Sequence, residues 1–209
     1  MRNCFEMLLT VSVSALLVTL FLAAIDTPEA KRVFCENNLK KIHGAVIAYQ
    51  NDHGILPPVM VTGKRYRFWN SYLDGEYIKD KRTLACPADP RNENFYTGKQ
   101  NPLLPPNPRG AISYGMNYFV TKKAAEKRGR KPLLAGISKP DKVYLFADNK
   151  IPWMYPDRLW TKDRTAWHED NSINMLFADG HVKTLQERHM ATKDKDGKFV
   201  YHMKNWTWN

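Results

Sequence analysis

Cysteine is scarce in this chain. Cys4, Cys35 and Cys86 are its three, too few for a disulfide scaffold to stand in for a hydrophobic core. Catalytic signatures are missing too: the sequence holds no His-Glu-x-x-His, no Gly-x-Ser-x-Gly, no phosphate-cradling P-loop and no Cys-x-x-Cys. The expectation is that the protein is not an enzyme. Acidic residues are few beside basic ones, 21 against 32, which leaves a net charge of +11. Such a surface attracts anions, whether phospholipid headgroups, acidic polysaccharide or nucleic acid. The charge is spread out except over residues 122–131, where six basic residues cluster. No aromatics are interleaved with them, so a specific nucleic-acid site is not expected there.

What the chain does have is enough apolar residue for a packed core, 43% of 209 residues, in one globular domain of ordinary size. Residues 7–25 are nineteen without a charge, rich in Leu, Val and Ala. As a helix they would extend about 28 Å, close to the ~30 Å apolar layer of a bilayer. A single-pass anchor in the cytoplasmic (inner) membrane is therefore expected, with Arg2 inside and the C-terminal domain extracytoplasmic. A cleaved signal peptide fits less well, because the run is long and Leu22-Ala23-Ala24 is a poor small-x-small site. The domain division follows: residues 1–27 as stem, residues 28–209 as the extracytoplasmic α+β domain.

The second half of this long N-terminal helix, residues 27–54, reads as amphipathic. Thr27 suits the N-cap, Pro28 the first helical position and Gly54 the stop. Cys35, Leu39, Ile42, Val46 and Tyr49 recur at steps of four and three and so share one face. Cys35 and Cys86 both follow the apolar run and are either one bridge or two buried thiols. Further on, Trp69, Tyr72, Leu73 and Tyr77 stand at helical spacing, and residues 111–121 and 143–147 read as strands. The clearest hairpin runs over residues 173–186 around Asp179-Gly180, the preferred pair for a two-residue type I′ turn. That turn would set Phe177 opposite Val182 and Met175 opposite Thr184, with His181 and Lys183 on the far face.

Four stretches in this order resemble one family. They are Arg32–Ile42 in the helix, Leu84-Ala85-Cys86-Pro87-Ala88-Asp89, Ser113-Tyr114-Gly115-Met116-Asn117, and Asn174 to Val182 around Asp179-Gly180. The chain resembles pilin-like proteins, akin to type II secretion G-like pseudopilins, with a prepilin-type N-terminus and a C-terminal H-X9-DG region. It departs from the pattern twice. Ten residues rather than nine separate His168 from Asp179, and Cys4 precedes Phe5 where such leaders carry a Gly, with Glu6 early. The resemblance implies an α+β, pilin-like fold, its long N-terminal helix transmembrane in the first half and packed on a small antiparallel sheet in the second. It implies a membrane-anchored structural subunit of a type II secretion or type IV pilus-like assembly, whose partners are sister or minor pseudopilin subunits met through the stem. Glu6 is its candidate assembly residue, because a carboxylate at a bilayer edge calls for a partner.

His168, Asp179 and His181, with Asp148, combine imidazole and carboxylate and are the candidate metal ligands. Turn chemistry accounts for Asp179 equally well, and His181 reads also as an exposed strand residue. No cofactor is expected, a bound metal ion being the one exception these residues leave open. The competing function is an anchored envelope-binding module that grips anionic glycan or nucleic acid with the basic surface and with Trp153, Trp160 and Trp167.

Overall fold

The computed structural model describes residues 12–14, 27–62, 67–92, 112–120, 129, 132–155, 168, 172–186, 191–193, 195 and 199–201. Its principal helix, α1, is Pro28–His53. Thr27 is extended and its side chain accepts from the Ala30 N–H, Pro28 occupies the first turn, and Gly54 closes the helix in the left-handed region at φ 68°. The buried face is Cys35, Asn38, Leu39, Ile42, Ala45, Val46 and Tyr49. Each large aliphatic on that face contributes about 1.5–3 kcal/mol by leaving water.

The cap at Thr27 also makes a new helix start there, because its extended backbone cannot continue a helix arriving from residues 7–25. Among the described residues α1 is the one helix of seven residues or more, and none is long and apolar enough to cross a membrane. The expected single-pass inner-membrane anchor, and the continuous long helix with a transmembrane first half, are corrected on this finding. Of residues 7–25 the structure describes only 12–14, which are helical; Glu6 lies outside the described residues.

The sheet is a second correction. It has five strands in the order β5 (Trp153–Met154), β3 (Tyr114–Asn117), β4 (Tyr144–Asp148), β6 (Ser172–Phe177), β7 (Val182–Gln186). Strand β5 lies parallel to β3, so the sheet is mixed where an antiparallel one was expected. The cause is the short crossing over residues 149–152. After β4 the chain passes over Gly115, where a Cβ would stand 2.9 Å from both Asn149 Nδ2 and Ile151 O. Asn149 N donates to Ser113 O and Met116 N to Pro152 O, which turns the chain onto the free edge of β3. Separate two-stranded pieces are β1 (Met60–Val61) with β2 (Arg67–Phe68), and β8 (Ala191–Lys193) with β9 (Phe199–Tyr201).

One face of the five-stranded sheet meets α1 through Tyr114, Met116, Phe146 and Leu176. The other carries Tyr144, Ala147, Met154, Ile173, Met175 and Phe177, also buried. Strand β6 is therefore buried on both sides, polar Ser172 and Asn174 included. The hairpin has slipped by one residue from the expected register: Leu176 opposes Val182 and Met175 opposes Lys183. Phe177 N donates to His181 O and Gly180 N to Phe177 O, so the connection is three residues, Ala178 to Gly180, with Gly180 at φ 94°. Glycine serves the left-handed position of a three-residue loop as well as a type I′ turn, and here it does the former.

Candidate functional site

The site forms where three elements meet: the first half of α1, the C-terminal end of β4 and the middle of β6. Cys35 belongs to the buried stripe of α1. One turn on, Asn38 Nδ2 lies 3.1 Å from Arg82 O, 2.9 Å from Ala85 O and 3.2 Å from the Tyr114 hydroxyl. An amide with two hydrogens shared among three acceptors, two of them buried, fastens residues 82–85 to the helix. The 3₁₀ turn Lys81–Leu84, capped by the Asp80 carboxylate, then delivers Cys86 beside Cys35. The two cysteines are bridged, with Cα atoms 5.4 Å apart. Beyond Cys86 the chain is tied down again by Asp89, fully buried, whose carboxylate accepts from Ser113 Oγ at 2.7 Å and from the Arg91 guanidinium.

Strand β4 ends in Asp148, fully buried, on the helix side of the sheet. Its Oδ2 accepts from the Asn174 backbone N–H at 2.6 Å and lies 3.2 Å from His168 Nε2. Its Oδ1 is equally buried and has no hydrogen-bond partner among the described residues. Asn174 side-chain Nδ2 lies 3.3 Å from the same His168 nitrogen and donates to Arg32 O of α1, while its Oδ1 accepts from Thr184 Oγ1 of β7. His168 is 7% exposed. A carboxylate so placed is costly in a dry interior unless it is paired, and His168 is the partner at hand.

These contacts separate the sequence candidates into two groups. His168 joins Asp148 and lies against the Cys35–Cys86 bridge: one ligand atom from each of the four falls within 4.8 Å of the others. Asp179 and His181 pair with each other, Nδ1 to Oδ1 at 2.6 Å, at the partly exposed hairpin turn. The His181 ring stacks on Phe177, centroids 4.1 Å apart. Four residues of β6 and turn separate Asn174 from Asp179, roughly 15 Å of extended chain. Among the described residues, nothing brings His168 to Asp179 and His181 as one ligand set.

Asn38, Asn174 and Asp89 escaped the sequence reading. Asn38 carried a signal, since it stands three residues after Cys35 on the same stripe. Asn174 and Asp89 carried none beyond their type. Of the loop aromatics, Trp153 is half-buried against the core and stacks on Phe68 with centroids 5.2 Å apart; Trp160 and Trp167 lie outside the described residues, as does the 122–131 cluster apart from Gly129. Comparison with protein-family models, with curated proteins and with solved structures returns no match for this chain.

Proposed function

We propose that the protein is a non-enzymatic, pseudopilin-like structural subunit that acts by assembling with sister subunits of a type II secretion or type IV pilus-like system. The observation that carries this reading is the outward side of α1. The helix commits one face to the sheet, yet Val33 (45% exposed), Phe34 (42%) and Ile47 (37%) stay in water. Val33 and Ile47 are fourteen residues apart, four turns of helix, and so lie on one side. Exposed Gly44 stands between them with open space above it, which lets a neighbouring backbone come close. Two exposed apolar side chains flanking a bare stretch of backbone, with polar Asn37 and Lys40 between Val33 and Gly44, make a packing surface rather than a catalytic one. The assembly contact is thus assigned to α1.

The competing binding-module reading draws less support. Trp153, the loop tryptophan whose place is described, spends its ring on Phe68 and the core. Sedimentation velocity of the full chain and of a Val33→Arg/Ile47→Arg double variant tests the proposal. The wild type is expected to associate reversibly with rising concentration, and the variant to stay monomeric with an unchanged melting temperature. A wild type that remains monomeric throughout would overturn it.

A further inference from the structure

Two thiols, an imidazole and a carboxylate are the donor set of a zinc-class ion. Cys35, Cys86, Asp148 and His168 supply that set within 4.8 Å, and all four are buried. Around one tetrahedral zinc, ligand atoms stand about 3.3–3.8 Å apart, so the two sulfurs, once unbonded, part from each other while the His168 and Asp148 donors close in by about 1 Å to complete the shell. A second observation points the same way. Asp148 Oδ2 is held by the Asn174 N–H, whereas Oδ1, shielded from solvent, has no hydrogen-bond partner among the described residues. Buried carboxylate oxygens are rarely left so. Asn174 orients the carboxylate and leaves one oxygen over, as the outer partner of a metal ligand does.

The bridge and the ion compete for the same sulfurs. While Cys35 and Cys86 share a bond neither is a thiolate, and His168 with Asp148 alone is too small a set to hold zinc firmly. We propose that the reduced chain binds one zinc-class ion through Cys35, Cys86, Asp148 and His168, and that formation of the Cys35–Cys86 bridge excludes it. A dithiol opens the bridge through a mixed disulfide, supplies two electrons and two protons, and departs as its own disulfide. The two thiols then lose their protons to solvent as the ion takes both sulfurs. Because both sulfurs are fully buried, the exchange belongs to folding or local opening rather than to the native surface. Either state fastens α1 to the segment before β3 and, with zinc, to β4 as well. This stands independently of the assembly reading, which uses the opposite side of α1.

The test refolds the full chain from the denatured, reduced state in a phosphine reductant, with zinc or cobalt(II), beside the bridged chain. About one ion per reduced chain is expected, with cobalt showing thiolate charge-transfer bands and tetrahedral d–d absorption, and X-ray absorption giving two sulfur and two nitrogen or oxygen neighbours. The bridged chain should retain none. His168→Gln and Asp148→Asn should each weaken zinc binding by about tenfold or more. Should those variants fail to fold, the wild-type cobalt spectrum still decides. A reduced chain that takes up no ion, an octahedral or sulfur-free cobalt spectrum, or equal uptake by the bridged chain would overturn the proposal.

Discussion

Gly180 shows how much one residue can be asked to do. Its φ of 94° suits glycine, and a Cβ there would stand 2.7 Å from His43 Cε1 of α1. The His43 Nε2 in turn approaches Ala178 O at 3.2 Å, so the hairpin end is keyed to the helix at this spot. Gly54 has a similar φ of 68° but open space around it. Gly54→Ala should therefore cost about 1 kcal/mol, the conformational penalty alone. Gly180→Ala should cost more, about 2–3 kcal/mol, because the ring must also move. Adding His43→Ala to Gly180→Ala should recover part of that difference in thermal unfolding; equal losses at the two glycines would show that the close approach is of no consequence. At the other end of the site, His168→Ala strips a fully buried carboxylate of its partner and should lower stability by on the order of 3 kcal/mol. Denaturant unfolding of the bridged protein checks this, and a loss below about 1 kcal/mol would mean that Asp148 is held mainly by Asn174.

Elements depend on such residues in turn. The bridge closes a separation of 51 residues between α1 and the segment leading to β3. In the chain-entropy account it contributes about 4 kcal/mol, so Cys35→Ser/Cys86→Ser in metal-free buffer should unfold earlier by that amount. The 3₁₀ turn that presents Cys86 rests on Asp80, whose carboxylate is held below its usual pKa, first by the hydrogen bond from the Arg82 side chain. A lowered carboxylate pKa gives stability that is complete above the ordinary carboxylate range and is lost as pH falls through the lowered value. Asp80→Asn keeps a capping oxygen but loses the charge. The stability gap between it and the parent should be present at neutral pH, small because the pair is exposed, and should close on acidification. A gap that persists in acid would assign it to the cap alone. Element by element, legibility in the sequence followed locality. The caps and buried stripe of α1 depend on neighbours three and four residues away and could be read. The hairpin was legible as a hairpin, but Asp-Gly serves loops of two and of three residues, and the single residue of difference moved Lys183 to the face of Met175.

At the scale of the whole molecule, the pieces hidden from sequence are contacts between distant segments. Asp148 meets His168 across 20 residues and Asn38 meets Ala85 across 47, and no period announces either. The crossing over Gly115 that makes the sheet mixed is hidden in the same way. Half of the metal candidate was visible in His168 and Asp148; Cys35 and Cys86 join them only once α1 lies on the sheet. That arrangement spends the inner face of α1 on the fold and leaves Val33, Phe34 and Ile47 outside it. Assembly through this outer strip is the central claim, and photo-crosslinking in the full chain at native expression tests it most directly. A benzophenone side chain placed at Val33 or at Ile47 should give crosslinked species containing a sister subunit or a second copy, while the same group at exposed Lys79 should give none. Monomer alone at both helix positions, or equal crosslinking at Lys79, would contradict the account.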